Sequence, residues 1–290
     1  MSERVRRRVH DDRVQRRRGR AGADVASHVV LGVGAVLMVV PFVWQLLTSL
    51  KTYTESIRVP LTILPELWDF ANYAEVFEIL PFGQMFLNTV LMTLGRTVAQ
   101  LAFCAMAAYA FARLTFPGRD VLFIVFLSVL MVPVELLLLP QYQIMASLGW
   151  LNTIQALIAP GMFNVFGTFL LRQYFLTLPR ALDEAAELDG CNPGQVFWHV
   201  LLPLARPGLV TVAVLAVLYS WNELMWPLIV NTRQSSMTLT AGLATLQGDQ
   251  ITDYPVIMAG SVMATIPLLI LFMVLQKQVI SGFASSGIKG

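Results

Sequence analysis

The chain is 290 residues long, with 56% hydrophobic residues, 13% charged residues and a formal net charge of +2. Soluble proteins of this size carry about a quarter charged residues, so this composition excludes a water-soluble globular fold and places the chain in a bilayer. Two cysteines, Cys104 and Cys191, and three histidines, His10, His28 and His199, give neither a disulfide framework nor a metal-ligand cluster. No phosphate-binding loop, nucleophile elbow or His-Glu-x-x-His occurs, so any ATP that drives this chain must be bound by another.

The first residues hold nine arginines between Arg4 and Arg20 against Glu3, Asp11 and Asp12. Residues 1–24 are expected to be a disordered basic tail that keeps the amino end in the cytoplasm; anionic lipid is a further partner and nucleic acid is not expected. The apolar run from Val29 to Leu47 is long enough to span and lacks a small-x-small cleavage site, so it reads as a first membrane helix. From Lys51 to Gln84 the chain turns polar and acidic, which suits an outside loop whose Trp68, Phe70, Tyr73 and Phe77 rest at the membrane surface on short helices.

A second span is expected over 86–111, a third over 121–140 interrupted between Pro133 and Pro140, a fourth over 154–175, a fifth over 208–229 and a sixth over 256–280. The positive-inside rule tests this topology. Sixteen of the twenty basic residues fall inside, only Lys51, Arg58 and Arg233 fall outside, and Arg96 lies within the second span. The expectation is therefore an all-α integral membrane protein with six spans and both termini cytoplasmic.

One polar module interrupts the oily chain, between the fourth and fifth spans. Thr177 is placed to cap a helix with Pro179 in its first turn and Asp183, Glu184 and Glu187 toward its positive end. Gly190 should close that helix in the left-handed conformation. Asn192, Pro193 and Gln195 read as the capped start of a second helix with Val196, Phe197, Val200 and Leu201 on one face. Leu182, Ala185, Ala186 and Asp189 recur at helical spacing on the first.

Glu184-Ala185-Ala186, Asp189-Gly190, Phe197 and Leu202-Pro203-Leu204 then Pro207 resemble the EAA loop of ABC-importer permease subunits, with Cys191 where the family usually has Ala. Ala108 to Arg119, Leu171-Arg172-Gln173-Tyr174-Phe175, Trp221-Asn222-Glu223 and the Gly287-Ile288-Lys289-Gly290 ending resemble the second permease subunit of carbohydrate importers of the maltose type. The resemblance runs from about residue 29 to the last residue and implies a type I importer permease fold over residues 25–290. It also implies a second homologous permease, two ATP-binding subunits that hold ATP and Mg, and a solute-binding protein outside a bacterial inner membrane.

By that resemblance the loop over 177–207 docks on the ATPase through Glu184, Ala185, Ala186, Glu187, Asp189, Gly190, Phe197 and Pro203. Gly287, Lys289 and Gly290 reach the same ATPase, and residues 231–256 approach the binding protein. Ionisable groups in spans are costly, which makes Arg96, Glu135 and Glu223 candidates for function, and Asn222 joins Glu135 and Glu223 as a residue for the translocation pathway. A structural ion pair is the expected use of Arg96. The competing functions are a secondary transporter without an ATPase, an importer for a polyol or a glycerol phosphate ester, and a membrane-embedded enzyme, for which the clustered nucleophiles or metal ligands are missing.

Overall fold

The computed structural model describes residues 27–247 and 252–287. The arginine tail, Asp249, Lys289 and Gly290 lie outside the described residues, and Gly287 is the last residue of the described backbone. Among the described residues every regular element is a helix.

Helix α1 (Ser27–Thr48) is apolar on all sides and exposed along its length; it joins the body only where Thr48, Ser49 and Leu50 become buried. The segment after it folds more tightly than its polarity suggests. Lys51 is buried and donates to the carbonyl of Thr62, while buried Glu55 accepts from Thr62 Oγ1 (2.7 Å) and the Glu66 amide (3.0 Å). The short helices α2 (Tyr53–Ser56) and α3 (Ala71–Ile79) follow, with Trp68, Phe70 and Phe77 facing out as an interfacial belt would. The Tyr73 ring is half-buried instead, its hydroxyl 2.8 Å from Ser49 Oγ.

Helix α4 (Phe82–Arg113) organises the rest. At 32 residues and 1.5 Å per residue it is about 48 Å long, well beyond a hydrocarbon core of about 30 Å. Three buried clusters string along it: one around Phe82 and Met85 with Met237, Leu239 and Val256; one around Met92 with Leu157 and Trp226; and one from Cys104 to Ala112 with Leu171, Phe175, Phe197 and Val212.

The expected third, fourth and fifth spans are broken helices, each for a legible reason. Helices α5 (Arg119–Met131) and α6 (Val134–Ser147) meet at 94°, because Pro133 has no amide to continue the ladder and forces Val132 into extended backbone. Helices α7 (Ile154–Gly161) and α8 (Val165–Thr177) meet at 45°, with Asn164 Oδ1 accepting from the Gly167 amide to start α8 afresh. Beyond α9 (Ala181–Leu188), α10 (Pro193–Leu204) meets α11 (Arg206–Trp221) at 77°. The expected fifth span stops at Trp221, and α12 (Met225–Val230) resumes after a break opposite Pro227, whose ring excludes the carbonyl four residues back.

Residues expected to reach a binding protein are largely folded inward. Met237, Thr238 and α13 (Leu239–Ala244) are mostly buried against α4, where Asn88 Nδ2 donates to the carbonyls of Ser235 (2.8 Å) and Met237 (3.0 Å) and Thr89 Oγ1 accepts from the Leu239 amide. Among the described residues of that loop, 232–235, Thr245, Gln247 and Tyr254 are exposed. Helix α14 (Tyr254–Gly287) closes the described chain. Helices α1, α4 and the Tyr254–Met273 part of α14 are each long and apolar enough to cross a membrane, and six segments qualify when each bent pair counts as one.

Candidate functional site

The polar module is a helical hairpin of α9 and α10. Its entry differs from expectation: Thr177 ends α8, donating to the Tyr174 carbonyl at 2.7 Å, and α9 starts at Ala181 with Arg180 at the cap position making no side-chain bond to it. The cause is Leu178, whose extended backbone before Pro179 breaks the chain away from helix.

The corner follows the predicted chemistry. Gly190 has φ +86°, its amide donates to the Glu187 carbonyl (3.0 Å) and the Cys191 amide donates to Ala186 (2.9 Å), the paired bonds of a Schellman ending. Asn192 and Gln195 then form a capping box, with amide-to-side-chain bonds of 2.9 and 3.0 Å in the two directions. The second helix runs through a π-turn over Val196–Leu201, just ahead of Pro203, which has no amide to continue the ladder.

Burial divides the predicted docking residues. Leu182, Asp183 and Ala186 face the bundle, whereas Glu184, Ala185, Glu187, Asp189 and Gly190 are exposed, so Ala185 and Asp189 do not share a buried face with Ala186. Phe197 is buried, its ring centroid 5.1 Å from that of Tyr109, and anchors the hairpin rather than presenting itself outward; Pro203 is exposed. Two apolar side chains that the sequence reading passed over stand out instead: Leu188 is 89% exposed on the acidic helix and Trp198 is exposed on the second. Their signal was present in the sequence as apolar residues falling outside each helix's buried stripe.

The hairpin is fastened to the bundle by charge as well as packing. Arg113 Nη1 lies 3.1 Å from Asp183 Oδ2. Burial pushes the Asp183 carboxyl above the usual carboxylate range; Arg113 pulls it down in part and Glu187 adds to the rise.

A second polar constellation lies halfway along α4. A stripe of Thr89, Thr93, Arg96, Thr97 and Gln100 is buried there, and helical spacing puts all five on one face. Arg96 Nη1 pairs with Glu223, its Nε donates to the Leu157 carbonyl at 2.7 Å, and Gln100 Nε2 donates to the Gly161 carbonyl at 2.7 Å. Trp226 Nε1 takes the Ala156 carbonyl at 2.8 Å, the group that Pro160 leaves without a helical donor. Arg96 thus pairs with Glu223 and not with Glu135, and the partners are carbonyls released by the break between α7 and α8. Gln100 and Trp226 were not anticipated, because which side chain meets the carbonyls freed around Pro160 depends on how α4 and α12 pack against that segment.

Glu135 sits exposed in the turn that starts α6, directly after Pro133. Asn222 is exposed and donates to the Leu218 carbonyl at 2.8 Å, while Tyr219 is exposed one turn before Glu223. Among the described residues no group of His, Cys, Asp and Glu is placed to hold a metal ion.

Comparison with known proteins brings these features together. The chain is 37% identical over 259 residues to the arabinooligosaccharides transport system permease protein AraQ of Halalkalibacterium halodurans, covering 88% of this chain and 93% of that one. It is 35% identical over 265 residues to the diacetylchitobiose uptake system permease protein NgcG of Streptomyces coelicolor (90% and 87% covered). It is 30% identical over 275 residues to the sn-glycerol-3-phosphate transport system permease protein UgpE of Pectobacterium atrosepticum (92% and 98%). A chain in the crystal structure of a bacterial ABC transporter that imports the acidic polysaccharide alginate superposes with a TM-score of 0.77 at 25% identity, covering 87% of this chain and 95% of that one. Residues 100–281, which include the hairpin and the Arg96-facing breaks of α7, α11 and α12, match the family of binding-protein-dependent transport system inner membrane components, and the chain belongs to that family.

Proposed function

We propose that this chain is the permease subunit of an ATP-driven importer that carries a sugar or sugar-like solute through a bacterial plasma membrane. It spans six times with both termini cytoplasmic, and it works with a second homologous permease, two ATP-binding subunits and an external solute-binding protein. ATP and Mg are held by the ATP-binding subunits. The observation that carries the reading is the hairpin: a Schellman corner and a capping box present Glu184, Glu187 and Leu188 away from the bundle, while Ala186, Val196 and Phe197 fix the same hairpin to it.

A rigid exposed hairpin with an apolar knob and flanking carboxylates fits a basic-rimmed cleft on a partner. When ATP binding draws the ATP-binding subunits together, the two docked hairpins move with them and the spans switch from inward-facing to outward-facing; hydrolysis resets them. Sugar as cargo is supported by the arabinooligosaccharide and diacetylchitobiose systems to which the chain is similar.

The test is reconstitution of the four kinds of subunit in proteoliposomes and measurement of labelled oligosaccharide uptake with and without ATP. Uptake that needs ATP and the binding protein, and that disappears in Glu184→Lys together with association of the ATP-binding subunit, is the expected result. Uptake by this chain alone down an ion gradient would overturn it.

A further inference from the structure

The last turn of α4 holds both helices of the hairpin. Arg113, its final residue, has a side chain only 6% exposed; Nη2 donates to the carbonyls of Phe175 and Leu178, each at 2.8 Å, and Nη1 pairs with Asp183 in the first turn of α9. The two carbonyls belong to the end of α8, where helical donors run out and a cation matches the negative end of the dipole. One turn earlier, the Tyr109 hydroxyl donates to the Pro193 carbonyl at 2.9 Å, in the first turn of α10. The same ring packs against Phe197 and lies 6.4 Å from Phe175.

These ties fall on opposite sides of the Gly190 corner. Apolar packing of Ala186, Val196, Phe197 and Leu201 holds the hairpin on the bundle without fixing a direction, because burial is non-directional. Hydrogen bonds and a charge-assisted pair at two separated points do fix it. Helix α4 then continues past Arg96 and its partners to Asn88 and Thr89, which bind the 235–239 segment at the other end of the molecule.

We propose that Arg113 and Tyr109 form a transmission clamp, positioning residues through which displacement of the hairpin is delivered to α4 and from it to the breaks beside Arg96. The inference rests on the proposed coupling role of the hairpin. It adds that docking and transmission are separable, since the clamp residues are buried and the docking residues exposed.

The experiment uses the complete importer in lipid nanodiscs, with Arg113→Met/Asp183→Asn, which removes both charges together, and with Tyr109→Phe, which removes one hydroxyl. Three quantities are read: ATP-binding subunits retained on purification, stimulation of ATP hydrolysis by loaded binding protein, and uptake. The expected result is an intact complex whose stimulation and uptake fall by about tenfold in the double variant and about threefold in Tyr109→Phe, within the range of ordinary coupling energies. Stimulation and uptake within about twofold of the unaltered complex would overturn the clamp, on the same scale. So would loss of the ATP-binding subunits, because the residues would then serve only to present the hairpin. Should the double variant not insert, Tyr109→Phe decides alone. A failed coupling role is distinguishable, since Glu184→Lys would then retain both the ATP-binding subunits and uptake.

Discussion

Arg96 on α4 and Glu223, in the break between α11 and α12, form an ion pair in which the arginine side chain is 2% exposed and the glutamate 16%. The pair joins two segments distant in sequence at the level where α7 and α8 also separate. Glu223 also follows directly on exposed Asn222 and lies one turn beyond exposed Tyr219.

Removing one partner of such a pair strands the other in an apolar interior. Glu223→Ala is expected to cost about 3–5 kcal/mol, and Arg96→Met/Glu223→Met together much less, because the stranded charge is what costs most. Thermal unfolding of the purified chain in detergent, run as a double-mutant cycle, measures this. Additive effects of the two single substitutions would contradict a coupled pair.

Gly161 is required by close approach. A Cβ there would lie 2.5 Å from Arg96 Nε and 2.6 Å from Arg96 Cδ, so Gly161→Ala must push the arginine off the Leu157 carbonyl. A loss of about 1–3 kcal/mol is expected, as for overpacking elsewhere. Gly34→Ala, where nothing lies within 4 Å, is the control that should leave the melting temperature unchanged.

At the corner, Gly190→Pro removes the amide that donates to Glu187 and demands a φ near −65° where the backbone has +86°. The variant should insert normally, since no apolar span is touched, yet fail to retain the ATP-binding subunit on purification. Leu188→Asp should do the same while leaving the corner intact, as expected of a central apolar anchor with a carboxylate rim. Retention of the partner by both variants would move the docking surface elsewhere.

Two carboxylates outside the spans predict opposite responses to acid. Burial raises the Glu55 carboxyl, but bonds from Thr62 and the Glu66 amide, with the Lys51 charge, outweigh it and hold the group below its ordinary value of 4.5. Its stabilising contribution is thus present above that value and lost as pH falls through the lower folded value. Asp183 is raised by burial, with Glu187 adding and Arg113 opposing, so its contribution is present below its ordinary value of 3.8 and lost as pH rises through the higher folded value. Hydrogen exchange followed from pH 6 to about pH 3 should show residues 53–66 losing protection that Glu55→Gln no longer loses, while residues 181–188 do not follow them.

The elements most legible in the chain were those governed by local chemistry. Gly190 closes a helix because only glycine takes a positive φ without a steric cost, and Asn192 with Gln195 caps the next because their side chains reach amides three residues away. Burial was less legible. Ala185 and Asp189 were expected to recur with Leu182 and Ala186, and Leu188 was not singled out, because which face of a short helix is covered depends on what lies beneath it, here Tyr109 and Arg113 at the end of α4.

By itself the sequence determined that the chain belongs in a bilayer, where its long apolar runs lie, and that a capped polar hairpin interrupts them, since composition, periodicity and capping act over a few residues at a time. Only the tertiary structure decided that Pro160 and Pro227 break helices expected to be continuous, that Lys51 and Glu55 are buried rather than solvated, and which groups meet Arg96. The reason is the same in each case: a freed carbonyl or a buried charge is tolerable only when a donor or counter-charge from a distant segment meets it. Arg96, one residue in the middle of a long helix, does this for both Leu157 and Glu223.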